Sequence, residues 1–460
     1  MELSEFKKFS SLFSEYTELR IQENRNVSIA IVKGNIVRNS RTALSGVSAR
    51  VYKDGFWGFA SNPEINSAVI RSVIKDATAN AIFLATKNSR QVKSLPTTSG
   101  GRIEKDFSTS KPRITQKEII EFLRDLDDRL VRTFKNISTR TLSLNCLDME
   151  KKLLTSSGSL AYTVIPRSIL YVVLTTLKDG KPIELYDTYG GFGQIEEHFQ
   201  DLEDLMARIG TQYEHLQKKA EGIHPDAGLK DCILDADLAG ILSHEAIGHT
   251  VEADIVLGGS IAADYLDTEV ASPLVSMTDF ASSALGRQCP VPVFVDDEGT
   301  PAQDTVLIEH GILKSFMHNK ETAAHFGVAP TGNARAYGFD DEPLIRMRNT
   351  AILPGPDKLD DMISSIDDGY YLLKSSNGQA DSTSEFMFGI VMGYEIKKGS
   401  IGRAILDTTI SGVAFDMLQT ITMISDEMSW TCSGMCGKKQ SIPVGMGGPA
   451  VKCKINIGGK

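Results

Sequence analysis

Two aspartate–glycine pairs set between apolar runs constrain this chain more than any other feature. Asp54-Gly55 lies between residues 45–52 and 56–60, and Asp179-Gly180 interrupts a strand-like stretch over about 137–188. Both positions of an Asp-Gly turn accept the left-handed backbone of a two-residue hairpin, so each pair predicts two antiparallel strands. Helical spacing brackets the hairpins. Phe6, Phe9, Phe13, Tyr16 and Leu19 predict a first helix, and Ile65, Val69, Val73 and Ile74 place a second over 64–87. Ile119, Ile120, Leu123, Leu126 and Leu130 mark a third, and a polar amphipathic one covers 195–220. Val27, Ile29 and Ile31 alternate as a strand, with Gly34-Asn35 as the turn after it. Each hairpin is followed by a glycine–aromatic element, Trp57-Gly58-Phe59 and Tyr189-Gly190-Gly191-Phe192. The repeated helix–strands–helix order suggests a duplication. Between the blocks, residues 90–113 are rich in Ser, Thr, Gly and Pro and read as a linker or mobile crossing.

The texture changes after Ala227. One helix over Leu238–Glu252 precedes a turn-rich, strand-like region with Asp297-Glu298-Gly299, His310-Gly311, Asn377-Gly378 and Lys398-Gly399. The expected fold is therefore α+β: domains at 1–108 and 109–222, then a β-rich domain at 223–460 that carries this helix. Three domains suit 460 residues at roughly 150 each.

Composition narrows the function. With 49 Lys and Arg against 59 Asp and Glu, the net charge is −10, and such a chain lacks the positive field for direct nucleic-acid binding. No uncharged apolar run reaches the ~18 residues of a membrane helix, the best being 168–177 (SILYVVLTTL). Charges occupy the first residues where a secretion signal carries its apolar segment, so a cytoplasmic protein is expected. Six cysteines in a chain of this length are no disulfide scaffold; in a reducing compartment each is a buried hydrophobe or a reactive or metal-binding thiol.

The segment inviting a chemical reading is His244-Glu245-Ala246-Ile247-Gly248-His249. Histidines four apart on a helix lie about 40° apart and share a metal readily; five apart they lie about 140° apart. His244 and His249 can chelate one ion only if the helix widens into a π-turn or ends between them, and Gly248 is suited to permit that. A catalytic zinc commonly takes three protein ligands, for which Glu252, Asp254 and a cysteine are candidates. Cys436 stands in a glycine-rich stretch beside Lys438, whose charge could favour the thiolate, with Cys432 four residues earlier. Glu252 could instead hydrogen-bond a ligand imidazole.

These residues resemble the metallopeptidases of the TldD/PmbA family, which includes proteins long labelled modulators of DNA gyrase and peptide-maturation proteases. The likeness runs along nearly the whole chain. It takes in Gly46-Val47-Ser48-Ala49-Arg50-Val51, Asp54-Gly55-Phe56-Trp57-Gly58-Phe59-Ala60, Asp296-Asp297-Glu298-Gly299-Thr300 and Leu307-Ile308-Glu309. Thr331-Gly332-Asn333-Ala334-Arg335, Arg346-Met347-Arg348-Asn349-Thr350, Cys436-Gly437-Lys438 and Gln440-Ser441-Ile442-Pro443-Val444-Gly445 complete it. The resemblance implies one zinc ion per catalytic subunit, held by His244, His249 and Cys436, with Glu245 as base. It also implies a homodimer or a heterodimer with a PmbA-type chain that lacks the metal motif. Because His, Glu, His and Cys are all present, the chain is similar to the TldD-type catalytic partner.

The expected function is zinc-dependent hydrolysis of peptide bonds in unfolded or flexible peptides. The alternatives are a non-catalytic modulator that docks a gyrase or toxin–antitoxin component, and a structural zinc with Cys432 as fourth ligand. Asn333 and Arg335 read either as contacts to substrate backbone or oxyanion, or as a turn clamp. His310 and His318 are weaker candidates for electrophiles, and Trp57 reads as core packing.

Overall fold

In the computed structural model, which describes residues 1–87, 92 and 94–458, both Asp-Gly pairs turn a hairpin. Asp54 and Gly55 have φ of 46° and 95°, and Asp179 and Gly180 have 51° and 74°. Two positive φ values in succession give the turn whose twist matches the flanking strands. The first turn falls one residue early: Lys33 and Gly34, at 49° and 81°, make it rather than Gly34-Asn35.

Strands β1 (Tyr16–Val32), β2 (Asn35–Lys53) and β3 (Phe56–Asn62) form an antiparallel meander followed by helix α1 (Ser67–Ala85). After β4 (Arg102–Asp106) and helix α2 (Gln116–Thr133) comes a second meander, β5 (Thr139–Thr155), β6 (Leu160–Lys178) and β7 (Lys181–Phe192), then helix α3 (Leu202–Ala220). β1 pairs antiparallel with β5, so both meanders lie in one seven-stranded sheet, β3-β2-β1-β5-β6, with β4 and β7 each paired to β6. The sequence segments on either side of residue 108 thus contribute to the same sheet.

The helix expected over residues 6–19 does not form. Only Leu3–Phe6 and a 3-10 turn at Lys7–Leu12 are helical, and β1 begins at Tyr16. From there the period is two: Leu19 and Ile21 pack on α1, while Glu18, Arg20, Gln22 and Asn24 are buried on the opposite face. Residues 195–220 divide into a 3-10 turn, Ile195–Glu197, and α3, where Asp201 caps the free N–H groups of Glu203 and Asp204. Of the stretch 90–113, residues 90, 91 and 93 lie outside the described residues. The rest is not a free crossing: Arg102–Asp106 is a strand, and Gly100 donates to the carbonyl of Gly299 at 3.1 Å.

Helices α1, α2 and α3 cover the apolar face of the sheet. Ile70, Val73 and Ile74 meet Leu19, Val47 and Ala49, while Leu123, Leu126, Leu205 and Ile209 meet Ile29, Ile31, Leu142 and Val172. The polar face turns toward the C-terminal region.

That region is β-rich. It contains β8 (Gly228–Leu234), α4 (Ala236–Leu242), β9 (Met277–Phe280), β10 (Thr305–Glu309), β11 (Ile312–Leu313) and β12 (Asn349–Ile352). These are followed by β13 (Asp368–Ala380), β14 (Glu385–Lys397), β15 (Ser400–Ala404), β16 (Thr408–Val413), β17 (Met423–Thr431) and β18 (Gly445–Ile457). The eleven strands share one sheet, and because β18 pairs with both β16 and β8, strands β8-β13-β14-β16-β18 close into a ring. Helix α4 lies directly on β18. A Cβ on Gly240 would come within 2.9 Å of the Met446 carbonyl carbon, so glycine sets this approach and with it the height of the turn that follows. Among the described residues no helix is long and apolar enough to cross a membrane.

Candidate metal centre

Beyond Leu242 the helix widens. Ser243–Gly248 is a π-turn, and the N–H of His249 donates to the carbonyl of His244, five residues back. Five residues then nearly complete a turn, which brings together two side chains that a regular helix would splay. The His244 and His249 rings stand 5.1 Å apart at 77°. Gly248 keeps ordinary helical angles, φ −55° and ψ −45°, so conformational freedom is not its reason. A Cβ there would lie 2.0 Å from the Met347 sulfur. Close packing requires the glycine.

Cys436 arrives from the opposite side, on a two-residue strand paired with Ile442–Pro443. One ligand atom each from His244, His249 and Cys436 lies within 4.8 Å of the others. Cys432 stays outside this group: its carbonyl accepts from Arg167 and burial pushes its thiol up. Cys436 behaves in the opposite way. Burial alone would raise its pKa, but the imidazoles of His244 and His249 more than reverse that and hold it down at about 3. Burial pulls His249 down, yet Cys436 and Glu252 outweigh it and lift the imidazole to about 10.

The Nδ1 of His249 meets the fully buried Glu252 carboxylate at 3.0 Å, which leaves Nε2 facing the Cys436 sulfur at 3.6 Å. Glu252 is thus a partner of an imidazole and no part of the three-donor group. Lys438 turns away from the thiol and donates to Glu252 (3.2 Å) and Asp254 (2.7 Å), which removes Asp254 from the ligand candidates. Glu245, on the same π-turn, holds a carboxylate oxygen 3.7 Å from Nε2 of His249 and is about a quarter exposed.

Residues 228–459 match the PmbA/TldA metallopeptidase C-terminal domain, and residues 17–81 match domain 1 of the same family. The chain belongs to the PmbA/TldD family. It is 31% identical to the "Metalloprotease TldD homolog" of Buchnera aphidicola over 97% of this chain and 93% of the relative. Identity to the "Zinc metalloprotease TldD homolog" of Saccharolobus solfataricus is 28%, covering 90% of each chain. These relatives make it a metallopeptidase. In fold it resembles TldE from Thermococcus kodakarensis (TM-score 0.78, 17% identity, 99% of this chain and 100% of that one). A putative modulator of a DNA gyrase from Thermotoga maritima is similar too (TM-score 0.79, 20% identity, 99% and 98%).

For a PmbA/TldD chain the donor set can be tested against a metal directly. Both ring nitrogens of His244 are buried and have no hydrogen-bond partner, a costly state unless something else takes a lone pair. Two imidazoles and a thiol of low pKa suit a borderline-soft ion such as zinc. The residues fit.

The remaining candidates lie elsewhere. Asn333 is fully buried, its amide donating to Asp279 (2.7 Å) and to the Arg346 carbonyl (3.1 Å). Arg335 donates to the carbonyls of Met347 and Pro443, and burial, with the charge of Arg346, pulls it down to about 10. Both side chains are engaged as clamps within the fold. His310 sits in a surface turn, and His318 is buried against Thr322. Trp57 packs on Tyr16 and Tyr52 under the Arg50 guanidinium. No pattern in the sequence pointed to the cleft beside Glu245, whose walls include Tyr186, Asp187, Asp237, Lys374 and Asn377 around about 240 Å³.

Proposed function

We propose that this chain is a zinc-dependent peptidase acting on extended or unfolded peptides, with His244, His249 and Cys436 holding one ion. The observation that carries the reading is the placement of Glu245 on the π-turn that bears His244 and is closed by the N–H of His249, at the wall of the cleft. Bound zinc would polarise the scissile carbonyl and acidify a water. Glu245 would take a proton from the attacking water and return it to the leaving amine, the hydroxyl ending on the acyl carbon as the C–N bond breaks. Glu252 accepts from Nδ1 of His249, which leaves Nε2 as the nitrogen that would hold the ion.

The cleft supports an extended substrate. Its 240 Å³ cavity shares Tyr186, Asp187, Thr188, Asp237, Lys374 and Thr431 with a second of about 460 Å³, so the two form one groove. Tyr186–Thr188 belong to β7, which pairs with β6 alone among the described strands, and an open edge can accept another strand. Lys374 crosses the groove floor, joining Asp187 (3.0 Å) to Asp237 (2.8 Å). A folded domain does not fit such a groove.

We further propose work in the cytoplasm as a homodimer or with a PmbA-type partner, with a domain boundary near residue 222; at residue 108 one sheet runs across the expected boundary. Metal analysis together with cleavage of an unfolded casein-like chain by wild type and Glu245→Ala tests the reading. Zinc in both proteins and cleavage only by wild type is expected. Equal cleavage by both removes Glu245 from the mechanism, and no cleavage with metal absent returns the chain to a binding role.

A further inference from the structure

The loop that carries Cys436 has little to hold it in its own sequence: a two-residue ladder, then glycine, then Lys439 at φ 56°. Its anchor is Arg346. This side chain is fully buried, and its guanidinium donates to three carbonyls of that loop, those of Cys436 (2.5 Å), Lys438 (2.9 Å) and Gln440 (2.8 Å). Every acceptor is a neutral carbonyl, so the positive charge is not cancelled by its own partners, and it lies one peptide group from the thiolate.

Arg346 is itself braced. Its N–H donates to the Asn333 carbonyl at 2.9 Å, and the Asn333 amide returns a bond to the Arg346 carbonyl. Asp279 accepts from that same amide and from Arg348 Nε at 2.8 Å, tying the assembly to β9. The two segments 331–335 and 346–350 are thereby one frame, which holds the Cys436 loop through Arg346.

We propose that Arg346 is the positioning residue of Cys436. It fixes the peptide group of Cys436 so that Sγ points at the two imidazoles. The inference rests on the metal-centre reading, and it adds a residue that touches neither ion nor substrate. A planar fork reaching three carbonyls at once has no equivalent in lysine, so charge and geometry can be separated.

The test uses the full chain loaded with cobalt(II), whose thiolate-to-metal charge-transfer band reports the sulfur bond, together with zinc affinity by chelator competition. Arg346→Gln is expected to lower zinc affinity about 10- to 100-fold and to weaken or shift the band. Arg346→Lys should recover part of the affinity but not the band position. Wild-type affinity and an unchanged band in folded Arg346→Gln overturn the proposal, and if that variant is insoluble, the same results in Arg346→Lys do so. Amide exchange across residues 432–442 is the readout that needs no metal. Acceleration there in Arg346→Lys supports the clamp, and unchanged exchange overturns it. Should wild type bind no cobalt through Cys436, the metal reading fails while the exchange data still judge Arg346.

Discussion

Glu245 and Glu252 are seven residues apart and do opposite things because of what surrounds them. Glu245 faces the cleft, whereas Glu252 is fully buried between His249 and Lys438. Glu245→Gln should therefore cut peptide hydrolysis by about 10²- to 10⁴-fold with zinc content unchanged, measured by metal analysis beside a cleavage assay. Glu252→Gln should act on the metal instead, lowering zinc affinity about 10- to 100-fold. His318 offers a test away from the cluster. Burial holds it down at about 4, against about 6.5 in an unfolded chain. Above pH 6.5 it is neutral in both states and costs nothing. As pH falls from 6.5 toward 4 the unfolded chain binds a proton that the native one refuses, so up to about 3 kcal/mol of stability is lost. Denaturation of wild type and His318→Gln across that window should show the gap between them shifting, and a constant gap would count against it. At this scale the His-Glu-His spacing was legible because its chemistry is local. The choice of Cys436 over Cys432 was not, since it rested on the family likeness and on Lys438, which bonds Glu252 and Asp254 instead, and the fold decides which thiol meets the imidazoles. Arg346 stood in a family-like motif with no role attached, because its partners are carbonyls and any residue supplies those.

Elements were legible where one face alone meets the core. Helices α1 and α2 formed close to their predicted limits, and the Asp-Gly pairs turned as expected. The first half of β1 was not legible, because both of its faces are buried and one is polar, so its large apolar residues and those before it imitated a helix, whereas Val27, Ile29 and Ile31 alternate as expected. The metal-site helix sits between these cases. Its five-residue spacing forced a departure from α geometry, and the π-turn supplies it, but the reason for Gly248 was hidden in a contact with Met347 a hundred residues away. Gly248→Ala should cost about 1–3 kcal/mol through overpacking. Met347→Ala should relieve part of that cost, and a double-mutant cycle by chemical denaturation would read the coupling. Strict additivity would mean that the glycine serves something other than this contact.

At the scale of the molecule, the N-terminal sheet and the β-rich region meet through a buried charge network as well as through apolar contacts of Met392, Tyr394 and Ala404. Arg50 bridges Glu18 (2.8 Å) on β1 and Glu298 in the turn before β10, while Lys151 reaches Asp297 at 2.7 Å and Arg20 donates to the carbonyls of Gly338 (2.9 Å) and Asp341 (2.6 Å). Glu298 also accepts the N–H of Lys320, whose ammonium returns to the Glu298 carbonyl at 2.9 Å. Glu18, Arg50 and Glu298 are all buried, and burial outweighs the attraction of Arg50 enough to push Glu18 up. Removing the cation alone strands two carboxylates without water. Arg50→Ala should therefore destabilise by about 3–5 kcal/mol, more than its contact area implies. Replacing the group as a unit, with Arg50→Met, Glu18→Gln and Glu298→Gln together, should recover most of the loss, because the neutral set has no charge to desolvate. Both are measurable by chemical denaturation of the whole chain. The same network makes the two regions depend on each other, so calorimetry of wild type should give one cooperative transition. Arg50→Ala should split it, with the sheet and the β-rich region melting apart; a single transition in that variant would place the coupling in the apolar contacts instead.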